Sequence, residues 1–284
     1  MFADDVQIEK SFSPTDAAKS LEDINSDLLS IHNWSVDNGL CLNIAKCQHV
    51  IIGSQQLTTK YPICNLAHYN SVVINGIKLR TCGSVKNLGV TFDQHLTWEL
   101  HINNKCRAAL QRLRYLCKFK NFLSMHTKKK LVSTLVIPLL DYCDTVYINA
   151  SNSLLTKIQK VQNACIRFIF SLKKFDHISD YIKRIKWLSM DKRRFLHSLL
   201  IVYKTLRYKE PSYLFNLFDS ALPGHMYATR LSCGNTLITP RCRTTKYQKS
   251  FTCQSIQLWN KLPEAIKTSP SVNAFKVQVF NNLL

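Results

Sequence analysis

The spacing of apolar residues changes character near Trp98. Before it, one helical stripe is followed by short strand-like runs. Leu21, Ile24, Leu28, Leu29, Ile31 and Trp34 recur at helical intervals, which predicts a helix reaching about Val36. Ser13-Pro14-Thr15-Asp16 supplies its start, a proline and then an acid in the first turn, and Asn38-Gly39 its left-handed stop. Residues 1–9 read as the end of a β-hairpin and Val50-Ile51-Ile52 as a short buried strand. Val72–Ile74 and Ile77–Leu79 flank Asn75-Gly76, a strong two-residue hairpin signal, and Leu88–Phe92 reads as a further strand. The first hundred residues are therefore expected to be α+β, with a mainly antiparallel sheet.

Beyond Trp98 the period becomes helical. Ile102, Cys106, Ala109, Leu110, Leu113, Leu116 and Cys117 fall on one face. Lys105 and Arg112 flank that face on one side, and Arg107, Arg114 and Lys118 on the other. Lys128–Lys130 precede a second predicted helix that reaches Pro138, and residues 153–171 and 191–208 predict two more. Residues 224–255 are poorer in pattern, with Gly224, Gly234 and Pro240 as breakers. A short helix near Trp259 and another over Val272–Leu283 close the chain.

Composition narrows the class. Over 284 residues, 46% hydrophobic and 20% charged content describe a globular chain of one large or two small domains. No apolar run is long enough for a membrane span, and no basic start leads into an apolar core as in a secretory signal, so an intracellular setting, cytoplasmic or nuclear, is expected. The eleven cysteines are scattered, without a Cys-x-x-Cys pair, and read as reduced thiols. Cys233, Cys242 and Cys253 with His225 could form a zinc site, although their gaps are wider than knuckle spacings.

Charge adds a partner class. The net +20 divides into −3 over residues 1–100 and +23 over residues 101–284. An excess so one-sided fits a polyanion, nucleic acid ahead of an anionic membrane surface, because the cations alternate with apolar residues instead of forming one terminal cluster.

The chain opens Met1-Phe2-Ala3-Asp4-Asp5-Val6. Adjacent carboxylates repel each other in an apolar setting unless a divalent cation neutralises them, and hard oxygens with few ligand positions suit Mg²⁺. Phe2-Ala3-Asp4-Asp5 resembles the aromatic-Ala-Asp-Asp turn of reverse transcriptases. Trp34–Lys46 is similar to the segment that follows this turn in reverse transcriptases of non-LTR retrotransposons. Leu88–Trp98, with His101 and Ile102, resembles their junction between palm and thumb. Leu258-Trp259-Asn260-Lys261-Leu262-Pro263, followed by Phe275-Lys276, is similar to the C-terminal tail of jockey-like and chicken-repeat-like elements.

The resemblance implies an α+β partial palm over residues 1–97, with an antiparallel sheet and a packing helix. A mainly α-helical thumb follows over 98–220, then a C-terminal tail region over 221–284. It implies RNA-directed DNA synthesis by two-metal nucleotidyl transfer, with Asp4 and Asp5 as Mg²⁺ ligands and Lys46 near the triphosphate as a proton donor to pyrophosphate. The family often has Lys-Thr where this chain has Lys46-Cys47, which removes a hydroxyl and leaves the lysine. Leu88-Gly89-Val90 would grip the primer terminus.

Lys105, Arg107, Arg112, Arg114, Lys118, Lys120, Lys128, Lys129 and Lys130 would hold RNA, an RNA–DNA hybrid or DNA by its phosphates. Trp98 and Trp259 are expected as core anchors, and Trp34 as packing for the palm helix. The family's third metal-binding aspartate, its fingers and a Gly-rich turn would lie upstream of Met1, so the chain is expected to be the rear part of the enzyme and inactive alone. A non-catalytic nucleic-acid-binding module and an inert remnant of a degenerate element remain the alternatives.

Overall fold

The computed structural model describes residues 6–61, 72–218 and 235–284. It divides into two compact units, Met1–Trp98 and Glu99–Leu284. The chain is mixed in secondary structure, helix-rich with small sheets.

In the first unit a 3₁₀ turn, Pro14–Asp16, leads into helix α1, Ala17–Asp37. Gly39, at φ 69°, follows that helix. Leu21, Ile24 and Leu28 pack on buried Val72, Ile74 and Leu79, and the Asn25 side chain accepts from the Val73 N–H. Trp34 departs from the expected packing role: its place on the helix faces away from this small core, and it is 59% exposed.

A second 3₁₀ turn, Ile44–Lys46, precedes strand β1, Gln48–His49. The expected strand at Val50–Ile52 is displaced by two residues, because the backbone pairs through Gln48 and His49 and not through the apolar run. Helix α2, Gln55–Lys60, is capped by Ser54. The remaining strands are β2 Val73–Ile74, β3 Ile77–Lys78, β4 Arg80–Thr81, β5 Ser84–Asn87 and β6 Val90–Asp93.

These strands form three separate ladders among the described residues, in place of one antiparallel sheet. The β1–β4 ladder is parallel, while β2–β3 and β5–β6 are antiparallel. Residues 6–13 carry no strand. Both hairpins turn through two residues at positive φ, Asn75-Gly76 (48° and 77°) and Leu88-Gly89 (44° and 79°), which is the backbone sense that suits the strand twist.

The second unit is helical among its described residues. Its larger helices are α3 Glu99–Cys117, α4 Met125–Leu135, α5 Ile137–Asp141, α6 Asn152–Ile169, α7 Ser179–Ile185 and α8 Met190–Tyr208. They are followed by α9 Ser212–Phe215, α10 Thr245–Gln248, α11 Phe251–Asn260, α12 Glu264–Lys267 and α13 Val272–Leu283. Lys128–Lys130 lie inside α4 and not ahead of it, because Ser124 makes the N-cap by accepting from the Thr127 N–H.

Helix α3 packs on α5 and α6, and α8 packs on α6, α11 and α13. The Leu-Trp-Asn-Lys-Leu-Pro stretch is a structural clasp. Trp259 is buried and donates from Nε1 to the Asn235 carbonyl at 2.7 Å. The Asn260 amide both accepts from the Leu237 N–H and donates to its carbonyl, mimicking a strand neighbour. Phe275 is fully buried, stacked on Tyr203 at 4.1 Å and tilted against Trp259 at 6.0 Å.

Candidate nucleic-acid interface

Helix α3 turns His101, Ile102, Cys106, Ala109 and Leu113 inward and leaves its cations on the remaining faces. Leu100–Leu140 contains nine lysines and arginines and no acid. The structure sorts those nine into two groups.

Four are held by the protein itself. Lys105 donates to the Tyr142 carbonyl and lies over the rings of Tyr142 and Tyr147 at 5.5 and 5.0 Å. Burial draws its pKa down to about 8, partly countered by Cys143, Asp144 and Asp141. Arg112 donates to the Leu135 carbonyl at 2.8 Å, satisfying an otherwise free group at the end of α4. Lys128 is buried and donates to Ser171 Oγ at 2.8 Å, and Lys129 reaches the Ile185 carbonyl at 3.4 Å. A phosphate would have to displace these contacts. The other group comprises Arg107, Arg114, Lys118 and Lys130, which are exposed, and Lys120, which is partly exposed.

Beside Lys105 lies a polar cluster that the sequence reading missed. Arg193 forks onto Asp141, donating from Nε at 2.9 Å and from Nη2 to the second oxygen. Burial opposes the Arg193 charge, but the hydrogen bonds and field of Asp141 outweigh it, and its pKa is raised. His197 Nδ1 lies 2.8 Å from the buried Asp144 carboxylate. His101 is buried against Tyr147, and desolvation, reinforced by Lys105, lowers its pKa to about 4.

The ligand atoms of Asp141, Asp144 and His197 lie within 4.8 Å of one another, as a metal site would require. A cation there would have to break the Arg193 fork and sit in the field of Lys105, so the trio reads as the ionic seam joining α5 to α8. The i, i+4 spacing of Arg193 and His197 and the three-residue spacing of Asp141 and Asp144 were its only sequence signal.

Of the expected catalytic residues, Asp4 and Asp5 lie outside the described residues. Lys46 is exposed at the end of its 3₁₀ turn. Leu88 and Gly89 form the exposed tip of the β5–β6 hairpin, and Val90 is buried beneath it. A leucine at φ 44° pays a steric penalty of roughly 1–2 kcal/mol.

Asp93, at the other end of that hairpin, accepts from the N–H groups of His95, Thr97 and Trp98 and from the Thr97 hydroxyl, at 2.9–3.1 Å. Burial alone would raise its pKa, but these donors hold it below the usual carboxylate value. The junction motif is thus a capped turn, closed by buried Trp98 packed edge-on to Phe92. His225 and Cys233 of the zinc expectation lie outside the described residues, while the sulfurs of Cys242 and Cys253 are 3.3 Å apart. Among the described residues, no helix is long and apolar enough to cross a membrane.

No family model matches the chain, and no solved structure matches it. It is similar to the RNA-directed DNA polymerase from mobile element jockey of Drosophila funebris, 29% identical over 172 residues, and to that of Drosophila melanogaster at the same identity and length. Each match covers 59% of this chain and 17% of the relative, so the chain spans well under a fifth of the proteins it matches. The chain is a homologue of a segment of the jockey-like, non-LTR reverse transcriptases.

Proposed function

We propose that the chain is part of an RNA-directed DNA polymerase of a non-LTR mobile element, and that its helical unit holds the primer–template duplex. The acid-free stretch Leu100–Leu140 carries this reading, because Arg107, Arg114, Lys118, Lys120 and Lys130 stay open to solvent within it. Phosphate contacts of this kind position a duplex without reading its sequence.

Leu88-Gly89-Val90 supports a grip on the primer end, since the hairpin holds an apolar side chain outward at a strained backbone position. Reverse transcriptases in general use divalent metal, and Asp4 and Asp5 are the residues we assign to Mg²⁺, with Lys46 toward the triphosphate. Asp4 and Asp5 by themselves offer Mg²⁺ few of the ligands its near-octahedral geometry needs, so we expect these 284 residues tested alone to incorporate nucleotides poorly or not at all.

The test is binding of an RNA–DNA duplex across a salt series. Five phosphate contacts give a log–log slope of about −4.5, and replacing the five cations by glutamine should flatten it toward zero. Salt-insensitive binding, or an unchanged slope in the variant, would refute the reading. Mg²⁺-dependent extension of a primer, lost in Asp4→Asn, would refute the expected inactivity. Binding without extension under any reconstitution would favour a non-catalytic binding module.

A further inference from the structure

Three large aromatic side chains stand in the open where α3 ends. Tyr115 is 65% exposed, Phe119 58% and Phe122 87%. They do not lie on a frayed end, because residues 115–122 are held in successive turns. The N–H groups of Lys118, Phe119, Lys120 and Phe122 donate to the carbonyls of Tyr115, Leu116, Cys117 and Phe119. Leaving a phenylalanine in water forgoes roughly 1.5–3 kcal/mol of burial, and two of them lie within four residues of each other.

Cations alternate with these rings. Arg114, Lys118 and Lys120 are interleaved with Tyr115, Phe119 and Phe122, and no acid occurs from Leu100 to Leu140. Lys118 Nζ lies 5.4 Å from the centroid of the Tyr115 ring, so one face of that ring is already claimed. Phe119 and Phe122 have no such partner among the contacts of the described residues.

Phosphate contact to a duplex does not use rings, because paired bases are stacked on one another and present no free face. Flat rings beside cations reward unpaired bases, whose faces stack on the rings while the phosphates meet the cations.

We propose that Tyr115, Phe119 and Phe122, with Arg114, Lys118 and Lys120, form a stacking platform for single-stranded nucleic acid. This rests on the proposed phosphate-holding role of the same helices and extends it to unpaired strand, such as template beyond the primer end.

The test uses the full chain and two probes, a blunt RNA–DNA duplex and an unstructured oligouridylate of about 12 nucleotides, followed by fluorescence anisotropy. The variant Phe119→Leu/Phe122→Leu keeps apolar bulk and loses the ring faces, and Phe119→Trp/Phe122→Trp keeps them. Unchanged circular dichroism and melting should accompany both, since the side chains are exposed. The leucine variant should bind the single strand at least about tenfold more weakly, with duplex binding unchanged and the tryptophan variant at or above wild type.

Single-strand affinity that is equal in the leucine variant and wild type, while duplex binding stays strong and salt-dependent, would overturn the platform and leave the phosphate-holding role intact. Equal loss on both probes would also overturn it. Absent duplex binding in wild type would overturn the role beneath it. Binding to anionic phosphatidylserine vesicles with no binding to the oligouridylate would assign the patch to a membrane surface and overturn the proposal.

Discussion

Asp93 offers the sharpest link from motif to measurable stability. Both carboxylate oxygens are occupied: Oδ1 accepts from the His95 and Thr97 amides, and Oδ2 from the Thr97 amide and hydroxyl and from the Trp98 amide. A hydrogen bond to a charged acceptor contributes about 1.5–3 kcal/mol when shielded. Asp93 is only partly buried, so water would replace part of what Asp93→Ala removes, and the net loss should be about 2 kcal/mol. In a unit of this size that lowers the melting temperature by roughly 10 °C. Asp93→Asn keeps the shape but turns one end into a donor facing N–H groups, and should cost about half as much.

The pH dependence has a definite sign. Asp93 has a lowered pKa in the folded chain, set by its backbone donors against an opposing burial effect. Its contribution is therefore complete above the unfolded carboxylate value, about 3.9, and is lost as pH falls through the folded value. Wild type should lose more stability than Asp93→Asn between neutral pH and pH ~3. Hydrogen exchange of a peptide spanning residues 90–100, with thermal melts at both pH values, reads this directly. A variant with wild-type exchange at neutral pH and the same acid loss would show that the capped turn contributes nothing.

Other expectations follow from single sites. Leu88→Asn relieves a φ of 44° with a residue that tolerates it and should stabilise by about 0.5–1 kcal/mol in urea titration; no gain would mean the hairpin tip is not strained. Phe275→Ala empties the fully buried position between Tyr203 and Trp259 and should cost about 3–5 kcal/mol, read from the denaturation midpoint; a cost under about 1 kcal/mol would show that the clasp is not core. Lys105 has a pKa lowered to about 8, mainly by burial, so the unfolded chain binds its proton more strongly. Stability should rise with pH from about 8 to about 10 on this account, and Lys105→Met should flatten that rise; an unflattened rise would assign it to another group.

The helices were legible because an apolar stripe at period 3.6 survives without knowledge of its partner. The Ile102–Leu113 stripe buries as read, and of the first stripe Leu21, Ile24 and Leu28 are partly buried against the small core while Leu29 is half-exposed. The same logic misled at Trp34, since a residue can hold the right spacing and still lie past the edge of a core whose buried members, among the described residues, are Val72, Ile74 and Leu79. Strands were less legible. The β1–β4 ladder is parallel, two residues long and pairs Gln48 and His49 with Arg80 and Thr81, so hydrophobic runs could not mark it. Asn75-Gly76 was legible because its turn needs two positive φ values, whereas Leu88-Gly89 reaches them with a leucine that no turn rule anticipates. Among the cations, sequence could place Lys105 and Arg112 beside the apolar face. It could not show that their charges end on Tyr142 and Leu135 carbonyls contributed by other helices.

The acids explain why the remaining cations stay uncompensated. Beyond residue 100 the chain has eight, and several are engaged within their own neighbourhood. Asp141 is forked by Arg193, Asp144 meets His197, Asp191 meets Arg194, and Glu264 meets Lys267. Asp176 accepts from the Lys173 amide. Three of these pairs gather on α8, where Arg193 and Arg194 each meet a carboxylate, while among the described residues no cation of α3 or α4 forms an ion pair. Charge on the helical unit is therefore sorted in space as well as in sum. The positive field over Leu100–Leu140 persists because no carboxylate lies within that segment to fold back on it. Asp141 and Asp144 act on Lys105, whereas Arg107, Arg114, Lys118, Lys120 and Lys130 form no ion pair among the described residues, and exposed charges more than roughly 10 Å away are screened at 0.1 M salt. The salt dependence of binding should follow from Arg107, Arg114, Lys118, Lys120 and Lys130 rather than from the net charge of the chain.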